Sequence, residues 1–314
     1  MNPYILNRLS DFAMIFIGLL VESMPFIVFG VAISTLIGRY VKTSWILKIK
    51  SKNTLVSHIQ SMLIGMILPV CECGNIPLAK RLLLMGFKPS EVITFMLAAP
   101  IFNPLVLITT LVAFNLDPNV GFIRVIAGGL ISLLIGLIFS LHPVPDQLLV
   151  SKKALSKKSF SFSGLSTFQK TVDTEPSHGI FLVNDFREEF INVFKMLIIG
   201  CFLAAAFQIL IPRDTINMFV GSPSLSVAAL MFLAFVISIC SSVDAFFALS
   251  FVGTFNLGSI VAFLVFGPMI DIKSLMMLKT IFKNKTLITL TILVALACLI
   301  TGLSVNYFYK LNYL

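Results

Sequence analysis

Charge is scarce in this sequence. Only 12% of its 314 residues are Asp, Glu, Lys or Arg, against roughly 25% in ordinary soluble domains. Meanwhile 58% are hydrophobic and the mean hydropathy is +1.01, which excludes a globule bathed in water on all sides. Histidine is nearly missing too. Of the three, His142 and His178 fall in a polar interval and His58 borders an apolar one. There is no His-Glu-x-x-His zinc site and no Gly-x-x-x-x-Gly-Lys-Ser/Thr phosphate loop, so neither an enzyme nor an ATP-driven motor is expected, and no cofactor is called for. Cysteines are too few and too dispersed for a secreted disulfide framework. Cys201 and Cys298, in ordinary apolar segments, read as small buried hydrophobes. A cleavable signal is also lacking, because the first apolar run is too long for one. The net charge of +9 does not point to nucleic acid, since the lysines lie in short loops beside apolar segments, where positive-inside bias explains them.

What is present is a series of runs that reach the roughly 20 residues needed to cross hydrocarbon. Phe12–Ile37, Val92–Phe114, Phe122–Leu141, Phe190–Leu210, Asn256–Met277 and Leu287–Tyr307 read as spans of an all-α polytopic membrane protein. Two further apolar segments, Ile59–Leu84 and Leu225–Phe251, are interrupted by polar residues. Residues 142–189 form a serine- and lysine-rich interval without sustained periodicity, read as a flexible linker. The expected organisation is a first membrane half (1–141), the linker (142–189) and a second membrane half (190–314).

The halves resemble one another. Cys71-Glu72-Cys73-Gly74-Asn75 lies over Cys240-Ser241-Ser242-Val243-Asp244 at an offset of 169, and Ala99-Pro100-Ile101-Phe102-Asn103 over Gly267-Pro268-Met269-Ile270-Asp271 at 168. Two polar breaks and two Pro-x-x-Asn/Asp turns therefore recur in the same order, an arrangement typical of transporters built from repeats with discontinuous helices. Lysine placement then favours six spans with Ile59–Leu84 and Leu225–Phe251 as re-entrant hairpins, which puts the Arg39–Lys52 loop, Lys80–Lys88, the linker and the Lys273–Lys285 loop on one side of the membrane. Eight full spans are the alternative.

The candidate site residues follow from the cost of polarity in lipid. Cys71 and Cys73 would diverge by about 200° on a regular helix. In backbone broken by Pro69 and Pro77 their sulfurs can converge on a soft ion, or simply pack at a tight crossing. Glu72 between them must pair, be protonated or line a polar path, with Lys80 or Arg81 as available ion-pair partners. Asn75, Asp244, Asn103 and Asp271 are expected near the pseudo-twofold axis, furnishing oxygen ligands or else satisfying the broken backbone. Cys240 and Ser242 would give the second half-site a thiol and a hydroxyl. Glu22, three residues before Pro25 in the first span, is the candidate coupling residue for a proton or cation. A structural hydrogen bond is its competing role.

Pro69-Val-Cys-Glu-Cys-Gly-Asn-Ile-Pro77, Leu97-Ala-Ala-Pro-Ile-Phe-Asn-Pro104 and Phe266-Gly-Pro-Met-Ile-Asp-Ile-Lys273 together resemble the predicted permeases of the ArsP/YraQ type, found in bacteria and photosynthetic lineages. The resemblance implies a polytopic permease. Through the family's arsenical-exporting branch it implies Cys71, Cys73 and Cys240 as soft ligands, although Ser241 and Ser242 stand where a second thiol pair would complete the pattern. The expected function is a secondary permease for a small solute, with soft-metal or trivalent organoarsenical efflux, or a non-transport assembly role, as alternatives. Expected partners are the solute or soft ion, the lipid bilayer, and a second copy or an accessory subunit. The expected location is a bacterial cytoplasmic membrane or a plastid membrane.

Overall fold

A computed structural model describes residues 3–40, 51, 53–67, 70–114, 118–141, 148–149, 178–210 and 222–312. The basic loop after Tyr40, Pro69, the loops at 115–117 and 211–221, and residues 150–177 of the expected linker lie outside these.

Twelve α-helices occur among the described residues: α1 (Pro3–Tyr40), α2 (Thr54–Ile67), α3 (Glu72–Leu84), α4 (Pro89–Phe102), α5 (Pro104–Ala113), α6 (Pro118–Ser140), α7 (His178–Leu210), α8 (Pro223–Ile237), α9 (Asp244–Ala248), α10 (Leu257–Met269), α11 (Ile272–Leu278) and α12 (Asn284–Asn312). Proline sets several starts. Pro89, Pro104 and Pro223 each open a helix at a position whose N–H has no intrahelical partner to lose. The α3–α4 turn closes on Gly86 at φ 96°, where the Phe87 amide donates to Leu82 and the Gly86 amide to Leu83, a Schellman stop that needs a residue able to adopt positive φ.

Among the described residues six stretches are long and apolar enough to cross a membrane: Arg8–Tyr40, Pro89–Ala113, Asn119–Ser140, Asp185–Leu210, Leu257–Leu278 and Asn284–Phe308. They coincide with the six spans expected from sequence. α2 and α8, at 14 and 15 residues, are only about 21 Å long, short of the roughly 30 Å hydrocarbon layer.

Helix packing repeats between the halves. α4 packs on α2 and α6 as α10 packs on α8 and α12, α2 meets α6 as α8 meets α12, and α3 touches α11 as α9 touches α5. Across the halves α1 pairs with α7, α4 with α10 and α6 with α12. The internal repeat is thus visible in three dimensions. It is imperfect, most plainly in that α1 packs broadly on α3, whereas α7 packs broadly on α11.

Three local expectations are corrected. Pro77 does not break its segment but lies inside α3; Val70 and Cys71 precede that helix outside helical backbone, and Pro77 only deprives the Cys73 carbonyl of its intrahelical donor. Lys273, expected in a basic loop, lies in α11 and is 1% exposed. The last residues of the polar interval, from His178, are helical. Phe186, Phe190 and Phe194 stack along one face with centroids 6.0 and 5.5 Å apart, extending the apolar stripe of α7 below the expected boundary. Leu148 and Leu149 of the same interval are buried against the start of α12, where the Leu148 carbonyl accepts from the Lys283 amide and the Thr286 hydroxyl, each at 3.1 Å.

α1 crosses α3 at a pair of glycines. A Cβ on Gly30 would lie 2.6 Å from both the Cα and the carbonyl oxygen of Gly74, and neither backbone atom can move aside cheaply. Small residues at such crossings let helices approach in lipid. Gly30→Ala is therefore expected to lower thermal stability in detergent by about 1–3 kcal/mol. Gly18→Ala, on the same helix with nothing within 4 Å, leaves stability unchanged or slightly raised.

Candidate functional site

Residues from both polar breaks meet in the buried interior. Cys71 caps α3 in extended backbone (φ −78°, ψ 178°), and Glu72 and Cys73 open the helix itself. Cys71 stands outside the helical register, and its thiol neighbours those of Cys73 and Cys240. Cys73 Sγ lies 3.8 Å from Ser23 Oγ on α1, and Ser242 Oγ lies 3.7 Å from Cys240 Sγ. Glu22, beside Ser23, is close enough to interact electrostatically with Cys240 and Cys201, and its Oε1 is buried without a hydrogen-bond partner. Among the described residues no three His, Cys, Asp or Glu side chains are arranged to hold a metal ion.

Glu72 pairs with neither Lys80 nor Arg81. Those two lie near Glu189 on α7, which accepts from Ser34 Oγ at 3.2 Å, while Arg81 Nε donates to the Ser34 carbonyl at 3.1 Å. The partner of Glu72 is Lys273, whose Nζ stands 3.3 Å from Oε1. The same ammonium donates to the Ser238 carbonyl at 3.2 Å. Ser238 ends α8 in the left-handed region (φ 53°, ψ 41°), an unusual conformation for a residue with a Cβ, and Lys273 there meets the negative end of a helix dipole. One cation thus joins the break of the first half to that of the second. The Glu72–Lys273 contact is an ion pair without hydrogen-bond alignment, and both carboxylate oxygens remain without a hydrogen bond.

The second buried pair is closed. Arg124 on α6 reaches across to Asp244 at the start of α9, with contacts of 2.5 and 3.1 Å, and also donates to Thr110 Oγ1 at 2.8 Å. Both residues are buried.

Matched residues of the repeat serve unequally. Asn103 and Asp271 do the same local work as helix caps: Asn103 Oδ1 accepts from the Leu105 amide at 3.0 Å and Asp271 Oδ1 from the Ser274 amide at 2.5 Å, each restarting a helix after its proline turn. Asp271 keeps a buried Oδ2 without a partner. Asn75, the counterpart of Asp244, is 1% exposed, and both its amide atoms lack partners. Glu72, Asn75 and Ser274 line a narrow cavity of about 20 Å³ whose remaining walls are apolar, Met96, Leu97, Pro268 and Met269 among them. It holds little more than one water-sized sphere.

Sequence reasoning missed Arg124 and the role of Lys273. An arginine inside an apolar run carries the same insertion penalty, roughly 2.5–3.5 kcal/mol at mid-membrane, that drew attention to Glu22. That signal was available at Arg124, and equally at Lys273 within the third motif.

Removing one partner of a buried pair leaves an uncompensated charge. Arg124→Met is expected to destabilise the protein by about 3–5 kcal/mol, measured as thermal unfolding in detergent. Adding Asp244→Asn to that variant should recover most of the loss. If the single and double variants unfold alike, the pair does not hold the two halves as the distances indicate.

With this geometry in place, comparison with known proteins becomes informative. The chain is 41% identical over 289 residues to YcgR, a UPF0718 protein of Bacillus subtilis (strain 168), covering 90% of this chain and 94% of that one. It is 31% identical over 292 residues to a protein of Streptococcus mutans whose name describes a subunit of a two-component membrane permease complex, covering 92% and 94% of the two chains. No solved structure matches it. Residues 8–307 match the family described as predicted permeases under the name ArsP_1. Six spans, a repeated helix pattern and full-length similarity to these relatives lead to one assignment: the chain is an integral multi-pass membrane protein that belongs to the ArsP_1 predicted-permease family.

Proposed function

We propose that the chain is a secondary permease of the bacterial cytoplasmic membrane that passes a small solute through the place where the two broken segments meet. One observation carries this reading: the buried polar atoms left without a hydrogen bond at the two breaks and the turn before α11, both oxygens of Glu72, both amide atoms of Asn75, Oδ2 of Asp271 and Oγ of Ser241. Buried polar groups are ordinarily satisfied, and in a membrane an unsatisfied one costs several kcal/mol. Six such atoms on the broken segments are a set that a passing solute, or its water, would complete.

In this reading Cys71, Glu72, Cys73, Asn75 and Cys240 contact substrate, with Ser242 supporting Cys240. Asn103, Asp244 and Asp271 hold the broken helices in place, and Glu22 couples transport to a proton or cation. The shortness of α2 and α8 supports six spans with two re-entrant hairpins and an inverted repeat. The approach of Cys71 to both Cys73 and Cys240 favours a second reading of the substrate, a soft ion or trivalent organoarsenical held by thiols. The name of the Streptococcus relative extends the proposal to an accessory subunit working beside this chain.

Two measurements test it. In everted vesicles supplied with a panel of arsenicals, soft metals and organic anions, the Glu72→Gln protein is expected to lose most solute flux at equal expression, by about tenfold or more, because Gln keeps the volume but not the charge that holds Lys273. Parental flux in that variant would remove Glu72 from the pathway. For topology, a cysteine placed at Lys88 in a chain with its native cysteines replaced should react with an impermeant maleimide only from the cytoplasmic face. Labelling from outside alone would leave the eight-span alternative.

A further inference from the structure

The unsatisfied atoms at the centre divide by chemical type. The sulfurs of Cys71, Cys73 and Cys240 keep to one another and to the hydroxyls of Ser23 and Ser242. Glu72, the Asn75 side chain and Ser274 line one cavity together; Asp271 does not line it, but accepts from the Ser274 amide, is close enough to Glu72 to interact electrostatically, and keeps a buried Oδ2 without a hydrogen bond. At about 20 Å³ that cavity is too small for an organic solute and close to the size of one water molecule or one dehydrated ion. Asn75 is its most telling wall. A fully buried amide with neither atom bonded is costly, and its carbonyl oxygen is a ready ligand for a cation.

Charge decides the class of ion. With both carboxylates ionised, Glu72 and Asp271 bring two formal negative charges and Lys273 one positive, leaving one negative charge uncompensated; the Arg124–Asp244 pair balances itself and adds none. A divalent ion would overcompensate the site, and the lack of any metal-holding triad of His, Cys, Asp or Glu among the described residues argues against a transition metal. Carboxylate, amide and hydroxyl oxygens suit a hard ion. We infer that the Glu72–Asn75–Ser274 cavity is a binding site for a single hard monovalent cation of the sodium class, distinct from the thiol cluster and in competition with the Lys273 ammonium for Glu72. The inference rests on the permease reading only in assigning the ion a coupling role: entry of the cation would free Lys273 from Glu72, and Lys273 also holds the end of α8 through Ser238, so ion occupancy would be felt at both breaks.

Equilibrium binding of radioactive sodium to the purified full-length protein in lipid nanodiscs, with N-methylglucamine chloride holding ionic strength constant, tests the site without knowledge of the solute. The expected result is saturable binding that calcium does not displace, with affinity lowered about tenfold or more in Asn75→Ala and abolished in Glu72→Gln. Lys273→Gln, which removes the competing ammonium, should bind sodium at least as tightly as the parent protein. Thermal unfolding in N-methylglucamine chloride establishes that each variant is folded, and added sodium should raise the melting temperature of the parent protein but not of Asn75→Ala. Absence of saturable sodium binding to the parent protein, equal binding by Asn75→Ala, or displacement by calcium would each overturn the inference. Saturable binding in a protein that moves none of the panel solutes would leave the ion site standing and count against the solute reading. Solute flux without sodium binding would do the reverse.

Discussion

A single buried ammonium group ties the centre of this protein together. Lys273 comes from a short helix of the second half, meets a carboxylate on the first helical residue of the broken segment in the first half, and ends on the carbonyl that closes α8. Desolvating a lysine in a membrane is expensive, and only a partner of opposite charge with a carbonyl dipole makes the position tenable. The demands are mutual. Glu72, at 5% exposure, carries its charge there only beside a cation, and Ser238 holds a left-handed backbone where its carbonyl receives that cation. Removing Lys273 would leave a bare carboxylate and an unpaired helix end in the same few ångströms.

The surrounding architecture serves this meeting point. Gly30 and Gly74 let α1 lie directly on α3, which brings Ser23 and Glu22 to the thiols. The proline turns at Pro100 and Pro268 end α4 and α10 where Asn103 and Asp271 restart the chain as caps. Helix ends also favour the charges found there: carboxylates stand at the starts of α3, α9 and α11 and the ammonium at the end of α8, each on the side its dipole prefers. The two ion pairs that cross between halves then differ in kind. Arg124 and Asp244 share two close hydrogen bonds with Thr110 in support, which makes a fastening. Glu72 and Lys273 touch without alignment and leave both carboxylate oxygens free of hydrogen bonds, which makes a contact that a ligand can replace.

Much of this was legible in the sequence, and for physical reasons. Long apolar runs reveal spans because lipid imposes their length, and the repeated order of polar break and proline turn pointed to an internal repeat, whose pattern the helix contacts share. Cys71, Glu72, Asn75 and Asp244 stood out as polar residues in apolar company. Partners are another matter. Nothing along the chain says that Glu72 looks to Lys273, 201 positions later, instead of Lys80, or that Asp244 looks to Arg124, because pairing is a property of the folded chain. The unequal fates of matched residues were hidden for the same reason: Asn75 and Asp244 occupy one position of the repeat, yet only Asp244 has an arginine opposite it.

The central claim is that the Cys71 break of the first half and the Cys240 break of the second face each other in the folded protein. Thiol cross-linking reads that distance directly. In full-length protein with Cys73, Cys201 and Cys298 replaced by Ser and a protease site placed between residues 150 and 177, oxidation by copper phenanthroline should join Cys71 to Cys240. The cleaved chain should then run as one band on a denaturing gel until reductant is added. Two separate fragments after oxidation, with both thiols still free to react with maleimide once the protein is denatured, would show that the breaks do not meet.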